Sequence, residues 1–155
     1  MIIIPHMLVG AAIGAKIHSF WAIFIFAAVS HFLTDFLPHW DYIENLEDEI
    51  KNKFLVFNLK IFTDFAIGLA IFLWLFWNSP FIYYAFFGAL VAILPDSLIL
   101  LRSLFLVYLK KRLALLEKYF NFHKKFHFYK DKRFLFWGII CELTVAALAI
   151  VIILS

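Results

Sequence analysis

The chain has 155 residues, 65% of them hydrophobic and 16% charged, with a formal net charge of +3 and a mean hydropathy of +0.93. Soluble domains are about half apolar and a quarter charged, and 21 phenylalanines with five tryptophans exceed what so small a soluble fold could bury. An ordinary soluble protein is excluded; a single all-α domain is predicted, a polytopic integral membrane helical bundle of about five membrane helices.

The opening Met-Ile-Ile-Ile-Pro-His lacks the basic stretch of a signal peptide and is expected to be retained. Pro5 suits a first helical position, so a helix is predicted from there to about Lys16, short for a full span. Gly10, Ala11, Ala12, Gly14 and Ala15 give it a small-residue face for close packing. His6 stands at the helix start, where the dipole disfavours a proton and leaves a neutral imidazole able to ligate a metal; a headgroup-level histidine is the alternative. Lys16-Ile17-His18-Ser19 is a polar break, and Ser19 is a candidate cap for a second helix over Phe20–Leu37. Residues 1–37 are then a helical hairpin, with one long span as the alternative.

The second helix ends in Ser30-His31-Phe32-Leu33-Thr34-Asp35-Phe36-Leu37-Pro38-His39-Trp40-Asp41, which puts four potential metal ligands into eleven residues. His31, Asp35 and His39 are spaced i, i+4, i+8 and would share a helix face. Pro38 disfavours helix at Leu37, so His39 and Asp41 are expected to fold back over the helix end. Imidazole and carboxylate on such a scaffold can form a first coordination shell; the plainer alternative is a polar cap at a membrane surface.

Residues 38–53 are an acidic loop or short amphipathic helix, and 54–109 hold two spans. In the first of these, Phe54 to Trp77, Lys60 and Asp64 form an i, i+4 pair: either a self-neutralising ion pair or a functional one. The second, Phe81 to about Leu109, is expected to break at Leu94-Pro95-Asp96, where an aspartate in lipid needs a partner; Arg102 follows six residues later. Residues 110–133 hold nine of the fourteen Lys and Arg, the signature of a cytoplasmic anchor, and carry a further i, i+4 pair of candidate ligands, His123 and His127. Residues 134–155 are the last span, with Glu142 inside it. The lone Cys141 excludes an internal disulfide.

With 110–133 in the cytoplasm of a cell (inner) membrane, the hairpin puts the N-terminus and the 38–53 loop on that side and the C-terminus outside. Counting about 1.5 Å per residue places His31 about 10 Å deep, Glu142 about 12 Å, Asp64 about 15 Å and Asp96 about 18 Å, with His6 and His39 at the rim. A site in that leaflet holding one or two Zn or Mn ions with an open position would lower the pKa of water to about 7 and suit hydrolysis of a lipid ester or phosphoester. Asp64 or Glu142 is the candidate general base, and Arg102 or Lys60 the candidate phosphate contact.

At these residues two resemblances enter. His31-x-x-x-Asp35 followed by Pro38, His39 and Asp41 is similar, over about a dozen residues, to the His-x-x-x-Asp…Pro…His motif of zinc-dependent phospholipase C, with a shorter proline-to-histidine spacing. That family's second pair is His-x-x-x-Glu, for which His123-x-x-x-His127 is the nearest form here. Over most of the chain, the layout resembles the membrane-bound metal-dependent hydrolases of bacteria and archaea, with His6-x-x-x-Gly10 and the Leu94-Pro95-Asp96 turn; Leu98 stands where their Leu-Pro-Asp-x-Asp has a second acid. The resemblance implies His6, His31, Asp35, His39 and Asp96 as ligands, and after them Asp41 and His127.

Two other classes compete. A cation or proton-coupled transporter needs access from both sides, whereas the candidate ligands lie in one half of the bilayer. A haem-binding or structural membrane protein does not call for clustered aspartates. Membrane lipids are the expected partners, a homo-oligomer is compatible, and nucleic acid is not expected, because orientation and anionic lipid explain the basic run.

Overall fold

The computed structural model describes residues 3–41, 43, 45–126 and 135–155. Among them are seven helices: α1 (Ile3–Lys16), α2 (Phe20–Phe36), α3 (Leu46–Asn52), α4 (Phe54–Phe76), α5 (Ile82–Leu109), α6 (Ala114–His123) and α7 (Leu135–Leu154). No strand occurs among the described residues. α4, α5 and α7 are long and apolar enough to cross a bilayer, while α1 and α2 are apolar but shorter. Large side chains cover the outside, Trp21, Leu55 and Trp74 among them, each more than three-quarters exposed. This is the surface of a helical bundle whose solvent is lipid.

The short helix α1 is the centre of the bundle. It packs most extensively on α5 and also touches α2, α4 and α7. The small residues expected to permit close packing do so: a Cβ at Gly10 would collide with the Gly88 carbonyl, one at Gly14 with that of Tyr84, and Ala11 and Ala12 are buried. At the α1 N-terminus the amide of Ile3 donates to Asp64 Oδ2 on α4 at 2.6 Å, satisfying an orphan helix donor and complementing the dipole.

α1 and α2 are antiparallel, since His6 near the start of one lies 3.2 Å from Asp35 near the end of the other. The hairpin is therefore the arrangement adopted, and a single long span is not. Ser19 occupies the N-cap position of α2, but its side chain makes no capping bond. Leu37 is extended, with ψ 152, as a residue before proline prefers, and α2 stops there.

One expectation is corrected. α5 does not break at Pro95 but stays helical through it for 28 residues. Proline removes the hydrogen bond to the carbonyl four residues back, and a helix in a bundle tolerates this where neighbours take up the loosened backbone. Here His31 of α2 donates its Nδ1–H to the adjacent carbonyl, that of Ala92, at 2.9 Å.

The acidic 38–53 stretch contains α3, capped by Asn45, whose side chain accepts from the Asp48 amide. The basic stretch contains α6. Arg102 near the end of α5 ties the two together, with Nη1 at 2.8 Å from Glu47 Oε1 and Nε at 3.0 Å from Glu117 Oε1, while its guanidinium lies 4.0 Å over the Phe120 ring.

Candidate metal centre

Four residues from three helices converge: His31 and Asp35 from α2, Asp96 from α5 and His123 from α6. His31 Nε2 lies 3.0 Å from His123 Nε2, 3.3 Å from Asp35 Oδ2 and 3.6 Å from Asp96 Oδ1. His123 Nε2 lies 3.2 Å from Asp35 Oδ2 and 3.6 Å from Asp96 Oδ1. Ligands at 2.0–2.1 Å from a tetrahedral ion are separated by about 3.3 Å, so the spacings are those of one coordination shell.

The donor pattern fits a cation equally well. A carbonyl can only accept, so the bond to Ala92 puts a proton on His31 Nδ1; in the neutral ring Nε2 is then a lone pair directed at two carboxylates and a second imidazole. Such a backbone contact is the usual orienting partner of a metal-bound histidine. Next to it the Thr34 hydroxyl lies 2.9 Å from the carbonyls of Ser30 and His31 and 2.9 Å from His6 Nδ1. A proton on His6 Nε2 makes it a donor facing Asp35 Oδ1 at 3.2 Å, and its ring stacks on His31 with centroids 4.3 Å apart. Asp35 is held between two shells: Oδ2 toward His31 and His123, Oδ1 toward His6. His31 and Asp35 are completely buried, and Asp96, with a third of its side chain exposed, marks the open side.

Among the described residues, the structure thus gathers five of the sequence candidates and leaves the others outside this group. His39 and Asp41 make their own pair, Nε2 to Oδ2 3.7 Å, with the His39 backbone lying against Gly138 of α7. Asp64 caps α1, and Glu142 is buried on α7; neither belongs to the four-residue group. Arg102 sits in its carboxylate latch, and Lys60 bonds both oxygens of Glu49, at 3.1 and 2.9 Å. His127 lies outside the described residues.

The graded depths are corrected as well. His6, expected at the rim, stacks on His31, and Asp96 Oδ1 comes within 3.6 Å of His31 Nε2 although their counted depths differ by several ångströms. The count assumed that every helix starts in one plane, but α5, at 28 residues, spans about 42 Å and overruns a hydrocarbon core of about 30 Å.

Three participants were not anticipated. Thr34, three residues from His31 on the same helix, was readable by spacing. The Ala92 carbonyl was not, because it requires α2 to pack beside Pro95. Tyr119 lies on the α6 face of His123, four residues earlier, with ring centroids 6.0 Å apart. Burial, and then the negative charges of Asp96 and Asp35, hold its phenol well above the usual tyrosine range. Comparison with protein-family models, with curated proteins and with solved structures found no match to this chain.

Proposed function

We propose that the chain is a membrane-embedded metal-dependent hydrolase that cleaves a lipid ester or phosphoester at the cytoplasmic face. The observation that carries this reading is the single shell made by His31, Asp35, Asp96 and His123, with ligand-to-ligand spacings of 3.0–3.6 Å and one exposed side. A bound zinc or manganese ion would lower the pKa of water to about 7 and polarise a phosphoryl or carbonyl oxygen.

The chain's own residues do the rest. His31 and His123 offer Nε2, Asp35 offers Oδ2 and Asp96 offers Oδ1. The Ala92 carbonyl orients His31, and the Thr34–His6 pair orients Asp35 from its other oxygen. Asp96 is where substrate enters, and its carboxylate is positioned to accept a proton from the attacking water. The basic 110–133 segment, of which α6 is part, anchors this end in the cytoplasm among anionic headgroups. A scissile bond near a lipid headgroup would therefore meet the site from the leaflet, without leaving the membrane.

The test is turnover of phospholipid and isoprenoid phosphoesters in mixed micelles by detergent-purified protein loaded with zinc or manganese. Wild type should hydrolyse at least one class and Asp96→Asn should lose most of that rate. Protein that binds neither metal, or binds it and turns over nothing, sinks the proposal.

A further inference from the structure

The four converging side chains can all offer lone pairs to a metal ion. A phosphate ester approaching it also needs a donor for its non-bridging oxygens, and the two cations nominated from the sequence already bond carboxylates: Arg102 bonds Glu47 and Glu117, and Lys60 bonds Glu49. A tyrosine beside the centre offers a donor. The phenol oxygen of Tyr119 is sealed from solvent and has no hydrogen-bond partner among the described residues. A buried hydroxyl left unpaired loses its hydration without compensation, so such a group calls for a ligand. Other buried polar atoms in this region at least face a complement: His6 Nε2 faces Asp35 Oδ1 at 3.2 Å, and Arg102 Nε faces Glu117 Oε1 at 3.0 Å.

Tyr119 is also well placed. It sits one helical turn before His123, on the same face of α6, with the two rings 6.0 Å apart. Its neighbour His123 lies 3.6 Å from Asp96, the member of the cluster at the exposed side. A phenol is a neutral O–H at physiological pH, so it can donate to an anionic oxygen without adding a charge that would repel a metal ion.

Resting on the metal-centre reading above, we infer that Tyr119 is a substrate-binding residue whose O–H donates to a non-bridging oxygen of a phosphate group held on the Asp96 side of the centre. The phosphate can belong to a lipid headgroup or be free, and the probes separate the two. Zinc content and affinity of the detergent-purified full chain are measured first, for wild type and Tyr119→Phe. Inorganic phosphate and dodecyl phosphate are then titrated into each zinc-loaded protein by calorimetry. The expected result is zinc bound alike by both proteins, with dodecyl phosphate bound about tenfold more weakly by Tyr119→Phe, the loss of one charge-assisted hydrogen bond. Tighter wild-type binding of dodecyl phosphate than of inorganic phosphate supports a lipid source. The same tenfold loss at equal affinities supports the donor with a free phosphate. Unchanged phosphate affinity in Tyr119→Phe overturns the inference, as does failure of zinc-loaded wild type to bind either probe. Zinc lost from a folded Tyr119→Phe overturns it too, since the phenol would then serve the metal. Failure of wild type to bind zinc would instead strike the metal-centre reading itself.

Discussion

Two polar clusters lie at the same end of this apolar bundle, and they are built on opposite plans. Around Arg102 the charges are complementary: a guanidinium meets Glu47 and Glu117, and nearby Lys60 meets Glu49. Around His31 the groups are alike: two imidazoles lie within 3.0–3.6 Å of each other and of two carboxylates, all capable of offering lone pairs. The first arrangement sets each carboxylate against a cation and clamps α3 and α6 onto α5. The second asks for a cation, because burying unneutralised charge in a membrane protein is expensive. The difference separates a structural latch from a binding centre more reliably than counting charged residues does.

The comparison can be broken most forcefully at the centre. His31→Ala and Asp35→Ala should each lower zinc affinity by at least about 100-fold, since each removes a buried ligand; competition with a chromophoric chelator reads this directly. Retention of zinc by either variant would make the centre another self-contained polar network. The next effect is on stability. With free zinc about 100-fold above its Kd, wild type should gain roughly 2.7 kcal/mol over the chelated protein, and Asp35→Ala should gain nothing; thermal melts with and without EDTA compare the two.

The latch is tested by Arg102→Met. Its partner Glu47 is half exposed, which discounts the pair, so the expected cost is about 1–3 kcal/mol in a denaturation experiment. Zinc affinity should fall less than threefold, through looser docking of α6. An affinity loss as large as that of His31→Ala would merge the two clusters into one functional unit. The smallest effect is expected one contact back from the centre. Thr34→Val keeps the volume but removes the hydroxyl partner of His6 Nδ1, and should weaken zinc binding about tenfold with little change in stability.

Much of the bundle was legible because its causes are local. Continuous apolar runs set α4, α5 and α7, the polar break at Lys16–Ser19 set the hairpin, and Pro38 ended α2. The i, i+4 spacing of His31 and Asp35 likewise put both on one face wherever α2 went. Pro95 misled because a proline rule describes an isolated helix, and here α5 is packed against α1 and α2. The graded depths misled because they treated helices as parallel rods starting together.

By itself, then, the sequence determined that this chain is a helical bundle made for lipid, that α1 packs through glycine and alanine, and that metal-binding side chains gather at the end of α2. Periodicity and composition carry those facts, since each depends on residues within a few turns of one another. Only the tertiary structure decided which ligands meet. It chose His123, 92 residues from His31, over His39, eight residues away, and it sent Asp64 to the α1 terminus. Coordination needs atoms within a few ångströms, and in a bundle that distance is set by helix crossings such as Gly10 on Gly88, which no spacing along the chain encodes.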